Sequence, residues 1–220
     1  MKINCIINQN DIDSTTDYNI FLFLLKKLKD NITIKLIDVN NFKCEKASIN
    51  IYFNCINNVL LDYAKSNILI PSQHTFLKEW SGHLSNFDLF LAKTHYIEDI
   101  LLTYINEDKV KYIGWRSTDI NNNYEKKYSE CLLYCIDSKY TDYKKIIDNW
   151  YSSYPTLTII NSKYIKKQDN LNYVNHTSQT EYENTFNKCG LHLCLSMTDG
   201  FSHQINQCCL SKSIPILING

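Results

Sequence analysis

Short apolar runs, each of strand length and most followed by a stretch with helical spacing, recur along this chain and restrict what it can fold into. In the first half they are KINCII (2–7), ITIKLIDV (32–39), INIYFN (49–54), NILIPS (67–72), DLFLAKT (88–94) and KVKYIGW (109–115). Helices are expected at 16–28, where the FLFLLKKL stripe reads as a core-facing side, over FLKEWSGHL (76–84) and over YIEDILLTYI (96–105). Nearly continuous apolar strands need cover on both faces, and their alternation with helices is the pattern of a parallel sheet in an α/β fold. The polar, aperiodic TDINNNYEKKYS (118–129) reads as a linker. A second series follows, with strands ECLLYCI (130–136), TLTII (156–160), LHLCLSM (191–197) and IPILI (214–218). Its helices are expected over DYKKIIDNWYSS (142–153), EYENTFNKC (181–189) and FSHQINQCCLSK (201–212), with a polar segment reaching about residue 180. We therefore expect two Rossmann-like α/β domains, residues 1–120 and 125–220, the second incomplete at its C-terminus.

Charge narrows the partners. The 220 residues carry 23 basic and 23 acidic side chains, and this balance argues against nucleic acid, whose binders show a basic excess or stripe. Arg116 is the only arginine, so fork-shaped recognition of a phosphate or carboxylate has a single candidate. The nine cysteines are odd in number, form no CxxC, and sit mostly inside strand-like runs, which suits reduced core thiols in a cytoplasmic protein. IFLFLL, the longest apolar run, is too short to span a bilayer, and MKINCIINQND lacks the features of a signal peptide.

Ligands of open α/β sheets bind beyond the carboxyl ends of the strands, which makes four strand ends candidates. They are Pro71-Ser72-Gln73-His74, Lys93-Thr94-His95, Gly114-Trp115-Arg116-Ser117 and Met197-Thr198-Asp199-Gly200. At the last, Gly200 lets the backbone approach a ligand, and the following helix offers unpaired N–H groups and the positive end of its dipole. Asp199 could accept bonds from sugar hydroxyls, and Gln207, eight residues on, falls near the same helix face. The same residues also suit an ordinary N-cap and turn. His74 and His95 could touch a second substrate or act as a base, or simply be exposed or capping residues. Cys189, His192, Cys194 and His203 have poor spacing for a zinc site, so no metal is expected. The absence of GxGxxG after the first strand disfavours a dinucleotide-dependent oxidoreductase.

The stretch NKCGLHLCLSMTDGFSHQINQ (187–207) resembles the donor-binding segment of retaining GT-B glycosyltransferases of the group 1, or GT4-like, kind. There a strand ends in an acidic-Gly-Phe-Gly turn and a second glutamate follows eight positions after the first. KSIPILI, DLFLAKTHYIEDIL and KYIGWRSTD resemble neighbouring elements of the same group. The resemblance implies a metal-independent, cofactor-free transfer of a sugar from a nucleotide-sugar to a glycan or other acceptor. Carried over, it makes Asp199 the catalytic-side residue and assigns Gly200, Phe201, Ser202, Gln207, Lys139, Ser138 and Arg116 to the donor. His74, Lys93, Thr94 and His95 fall on the acceptor side. The chain departs from the pattern at Asp199 and Gln207, where glutamates are usual, at Ser202, where glycine is usual, and at Asp137 and Asp142, which flank Lys139 and repel phosphate. An inactive glycosyltransferase-like binding or scaffold module is therefore the alternative.

Overall fold

The computed structural model describes residues 1–27, 31–72, 78–117, 124–135, 140–175, 178–195 and 201–218. They fall into two compact units, the first built on Met1–Arg116 and the second on Ser117–Met197 and Ser202–Gly220. Both are α/β, and each contains one all-parallel sheet, of six strands in the first and five in the second.

The first sheet comprises β1 (Lys2–Ile7), β2 (Thr33–Asp38), β3 (Ala47–Phe53), β4 (Ala64–Ile70), β5 (Leu89–Ala92) and β6 (Val110–Tyr112) in the order β2-β1-β3-β4-β5-β6. Alternate side chains feed two apolar layers: Ile6, Tyr52, Leu69 and Phe90 on one face, and Cys5, Ile7, Ile51, Phe53 and Ile70 on the other. Three asparagines run through the first layer. Asn4, Asn50 and Asn67 are register partners on β1, β3 and β4, and their amides bond in series at 3.0 Å each. Asn50 and Asn67 also donate to the carbonyls of Leu60 and Leu61 in a 3-10 turn, Asn58–Tyr63. A one-residue slip of any of these strands would bury an unpaired amide, so the ladder fixes the register.

Helix α1 (Ile12–Leu25) starts earlier than the apolar stripe suggests, because Asp11 caps it: its carboxylate accepts the N–H of Ser14 and its carbonyl that of Thr15. The stripe is only partly core-facing. Ile20 is buried and Phe21 packs on Phe53, but Phe23 and Leu24 are exposed, with the Lys27 ammonium lying 4.7 Å from the Phe23 ring centre. Helix α2 (His95–Leu102) is capped by the Thr94 hydroxyl. Lys78–Asn86 forms a 3-10 helix where an α-helix was expected, since its polar SGHLSN end gives a full helical turn little to bury.

The second sheet comprises β7 (Lys127–Tyr134), β8 (Thr156–Ile160), β9 (Leu171–Val174), β10 (Cys189–Cys194) and β11 (Ile214–Leu217) in the order β11-β10-β7-β8-β9. Helices α3 (Tyr140–Asp148), α4 (Gln179–Lys188) and α5 (His203–Leu210) complete the unit. Two expectations are corrected. β9 lies inside the segment read as merely polar. β7 begins within the expected linker, because Lys127 pairs with Cys189 across a bulge that ends at Leu191. At the open edge, Ile218 donates its N–H to Cys194, so alternation along β11 turns the backbone of Pro215 and Leu217 away from β10.

Gly190 sits in that bulge, where an added Cβ would lie 2.8 Å from the Tyr128 Cα and 2.7 Å from its ring. Gly190→Ala is expected to destabilise the second unit by about 1–3 kcal/mol, read by urea unfolding. Tyr128→Ala in the same background should restore only part, because the backbone clash remains.

Candidate functional site

The carboxyl edge of the first sheet holds a buried polar cluster. Lys93, just past β5, directs its ammonium at the Asp17 carboxylate (2.6 Å), at the Asn54 amide oxygen (3.4 Å) and at the Ser72 hydroxyl. Asp17, on α1, also accepts the Asn54 amide N–H at 2.8 Å and the Trp115 indole N–H at 2.7 Å. Asp17 is 0% and Lys93 3% exposed, so the charges have left water together. Asn54 follows β3 with φ of 54°, a left-handed conformation that asparagine tolerates better than most residues, and its N–H closes on Ile70 of the neighbouring strand. Nearby, Ser14 donates to the Phe53 carbonyl. Five segments, those of α1, β3, β4, β5 and β6, therefore meet on one ion pair at the edge where parallel sheets bind ligands.

Of the residues singled out at this edge, Lys93 directs all three donors of its ammonium at side chains of its own unit. Thr94 is the cap of α2. His95 is exposed; its Nδ1 lies 2.9 Å from Glu98 Oε2, and its ring stacks on Tyr112 at 3.9 Å. Arg116 is exposed. His74 lies outside the described residues. The sequence reading missed Asp17 and Asn54, although Asp17 sits one helical turn past the capping Asp11–Ser14 segment and Asn54 ends a strand.

In the second sheet the chain runs β7, β8, β9 to one side and then β10, β11 to the other, so strand order reverses between β7 and β10. That reversal point is where a crevice opens in doubly wound sheets. In sequence, β7 leads to Ser138 and Lys139, and β10 leads to Asp199 and Gly200; these four lie outside the described residues. Beyond them, Phe201 is a half-buried turn residue and Ser202 caps α5, its hydroxyl accepting the Ile205 N–H at 3.3 Å. The adjacent His203 is buried, with its Nδ1 3.0 Å from the Ser117 hydroxyl. Gln207 is half-buried on the same helix. β10 and β11, with α5 between them in sequence, pair in parallel, with Leu191 to Cys194 in register with Ile214 to Leu217.

β10 itself offers no reactive group. His192 is 0% exposed, its Nε2 is 3.1 Å from the carbonyls of both Phe186 and Cys189, and its Nδ1 has no partner. Burial holds its pKa down at about 4, against 6.5 in water, so the ring is neutral. Burial likewise pushes the thiols of Cys189, Cys194 and Cys208 up to about 12, which keeps them protonated and poorly nucleophilic. Among the described residues no group of three or more His, Cys, Asp and Glu side chains is placed to hold a metal ion. Nor is any helix among them long and apolar enough to cross a membrane.

No protein-family model and no curated protein matches the chain. It is similar to a solved structure described as the Glycosylation Associate Protein (Gap123) complex from Streptococcus agalactiae, with 14% identity and a TM-score of 0.43. The likeness takes in 94% of this chain and 46% of that one, so this chain spans less than half of that protein's length.

Two outcomes follow. Lys93→Met leaves the Asp17 charge buried alone and should cost about 3–5 kcal/mol in urea unfolding. Asp17→Asn combined with Lys93→Met should recover much of that loss. His192 takes up a proton only on unfolding between pH 6.5 and about 4. Its contribution is therefore complete above pH 6.5 and is lost as pH falls toward 4, by roughly 3 kcal/mol. His192→Phe should flatten that acid-side slope in unfolding measured across the window.

Proposed function

We propose that the chain is a glycosyltransferase-like protein of GT-B type that takes a nucleotide-sugar at the carboxyl edge of its second sheet. One observation carries this reading. The two strands flanking the reversal of strand order, β7 and β10, are each followed in sequence by residues that the resemblance assigns to the donor. Ser138 and Lys139 follow the first; Asp199, Gly200, Phe201 and Ser202 follow the second and lead into α5. In this reading the donor diphosphate approaches the amide end of α5, with Lys139 supplying charge. Asp199 holds sugar hydroxyls and Gln207 the ribose. Stabilisation of the departing nucleoside diphosphate comes from backbone N–H groups and lysine rather than from a metal. Among the described acceptor-side residues, His95 is the exposed histidine, its Nδ1 held 2.9 Å from Glu98 Oε2.

A specific observation favours the alternative of a binding module without turnover. Where the resembled family has glycine, Ser202 already satisfies the Ile205 N–H, a donor that would otherwise be open to an anion. The purified chain is to be titrated with UDP-, GDP- and ADP-glucose, following thermal shift and donor hydrolysis. We expect stabilisation by one nucleotide class, weakened about tenfold (1.4 kcal/mol) by Asp199→Ala and by Lys139→Ala, and strengthened by Ser202→Gly. Stabilisation without hydrolysis selects the silent module, and no response to any of the three rejects donor binding altogether.

A further inference from the structure

Gln204 stands in the first turn of α5 with its amide turned away from water. Its Nε2 is sealed from solvent and has no hydrogen-bond partner among the described residues, although the residue as a whole is only partly buried. The amide is thus an inward-facing donor on a side chain that also reaches the surface. A buried N–H left unmet costs the folded chain the desolvation of that group with no bond in return, and such a group calls for an explanation. The polar groups around it are engaged elsewhere. The Ser202 hydroxyl accepts the Ile205 N–H at 3.3 Å, the Asn206 amide donates to the Ser202 carbonyl at 2.9 Å, and the His203 Nδ1 lies 3.0 Å from the Ser117 hydroxyl.

What such a donor takes follows from its chemistry and its place. An amide nitrogen carries two N–H groups and accepts nothing, so its partner is an acceptor oxygen. α5 follows β10, one of the two strands that flank the reversal of strand order. Its first turn carries the positive end of the helix dipole, which favours an oxygen bearing negative charge. We propose that Gln204 is a ligand-binding residue whose Nε2 donates to a phosphoryl oxygen of a nucleoside diphosphate. The assignment rests on the donor-site reading above and adds to it a side-chain contact that brings direction without charge. The empty protein then bears an unmet donor that the ligand satisfies, so stability and binding oppose each other at this one residue.

Two variants of the full chain test this opposition. Gln204→Met keeps the length of the side chain and removes the donor, and Gln204→Glu keeps the length and adds a charge that repels phosphate. Each is compared with the parent by urea unfolding without ligand and by thermal-shift titration with UDP, GDP and ADP. Gln204→Met should raise the urea midpoint, yet weaken about tenfold the diphosphate that stabilises the parent. Gln204→Glu should abolish the response. A parent that answers none of the three diphosphates rejects the donor-site reading, and the role of Gln204 falls with it. A parent that responds, with Gln204→Met responding equally, overturns the role of Gln204 alone. So does a lowered urea midpoint in Gln204→Met, which would show the amide already bonded within the folded chain.

Discussion

The ion pair between Asp17 and Lys93 is the constraint around which the first unit is arranged. Burying two charges costs several kcal/mol per ion unless geometry and further hydrogen bonds offset it. Here Asn54, Ser72 and Trp115 supply those bonds, from three different segments. The pair is thus a condition that several loops must meet at once rather than an added source of stability. It ties α1 to the sheet edge through Asp17, engages the asparagine that adopts a left-handed backbone after β3, and receives the Trp115 indole. The edge of the sheet where ligands bind in this architecture is consequently already polar.

The architecture was legible because its signal is repeated. Runs such as KINCII, TLTII and LHLCLSM are apolar on both faces, and only a covered parallel sheet satisfies them. Legibility failed where the signal was short or depended on a distant partner. LNYV, at 171–174, is four residues long amid polar neighbours, and it becomes a strand because β8 offers its free edge. Lys127 and Tyr128 read as linker, yet a bulged pairing with Cys189 draws them into the sheet. The FLFLL stripe misled in the other direction, since it is wider than the core needs and leaves Phe23 and Leu24 exposed.

The candidate site was legible in part for a similar reason. Strand ends can be found from pattern alone, so Ser72, Lys93, Thr94 and Trp115 stood among the candidates. That Lys93 turns inward is a pairing fact, and its partner lies 76 positions away in sequence. No local rule connects Asp17 with Lys93. The β10–α5 junction is the reverse case: its local sequence is suggestive, and the order of strands around it adds a topological argument that local sequence does not contain.

Pro215 gives the second sheet a further property. Among the described residues β11 is an edge strand with Ile214 and Leu217 exposed, the kind of border on which sheets of separate molecules can join. The backbone facing outward at that border belongs to Pro215 and Leu217, and proline has no N–H to offer. A strand arriving there finds an acceptor without its matching donor, so growth of the sheet from molecule to molecule starts one hydrogen bond short. A border that is apolar in its side chains is thereby interrupted in its backbone.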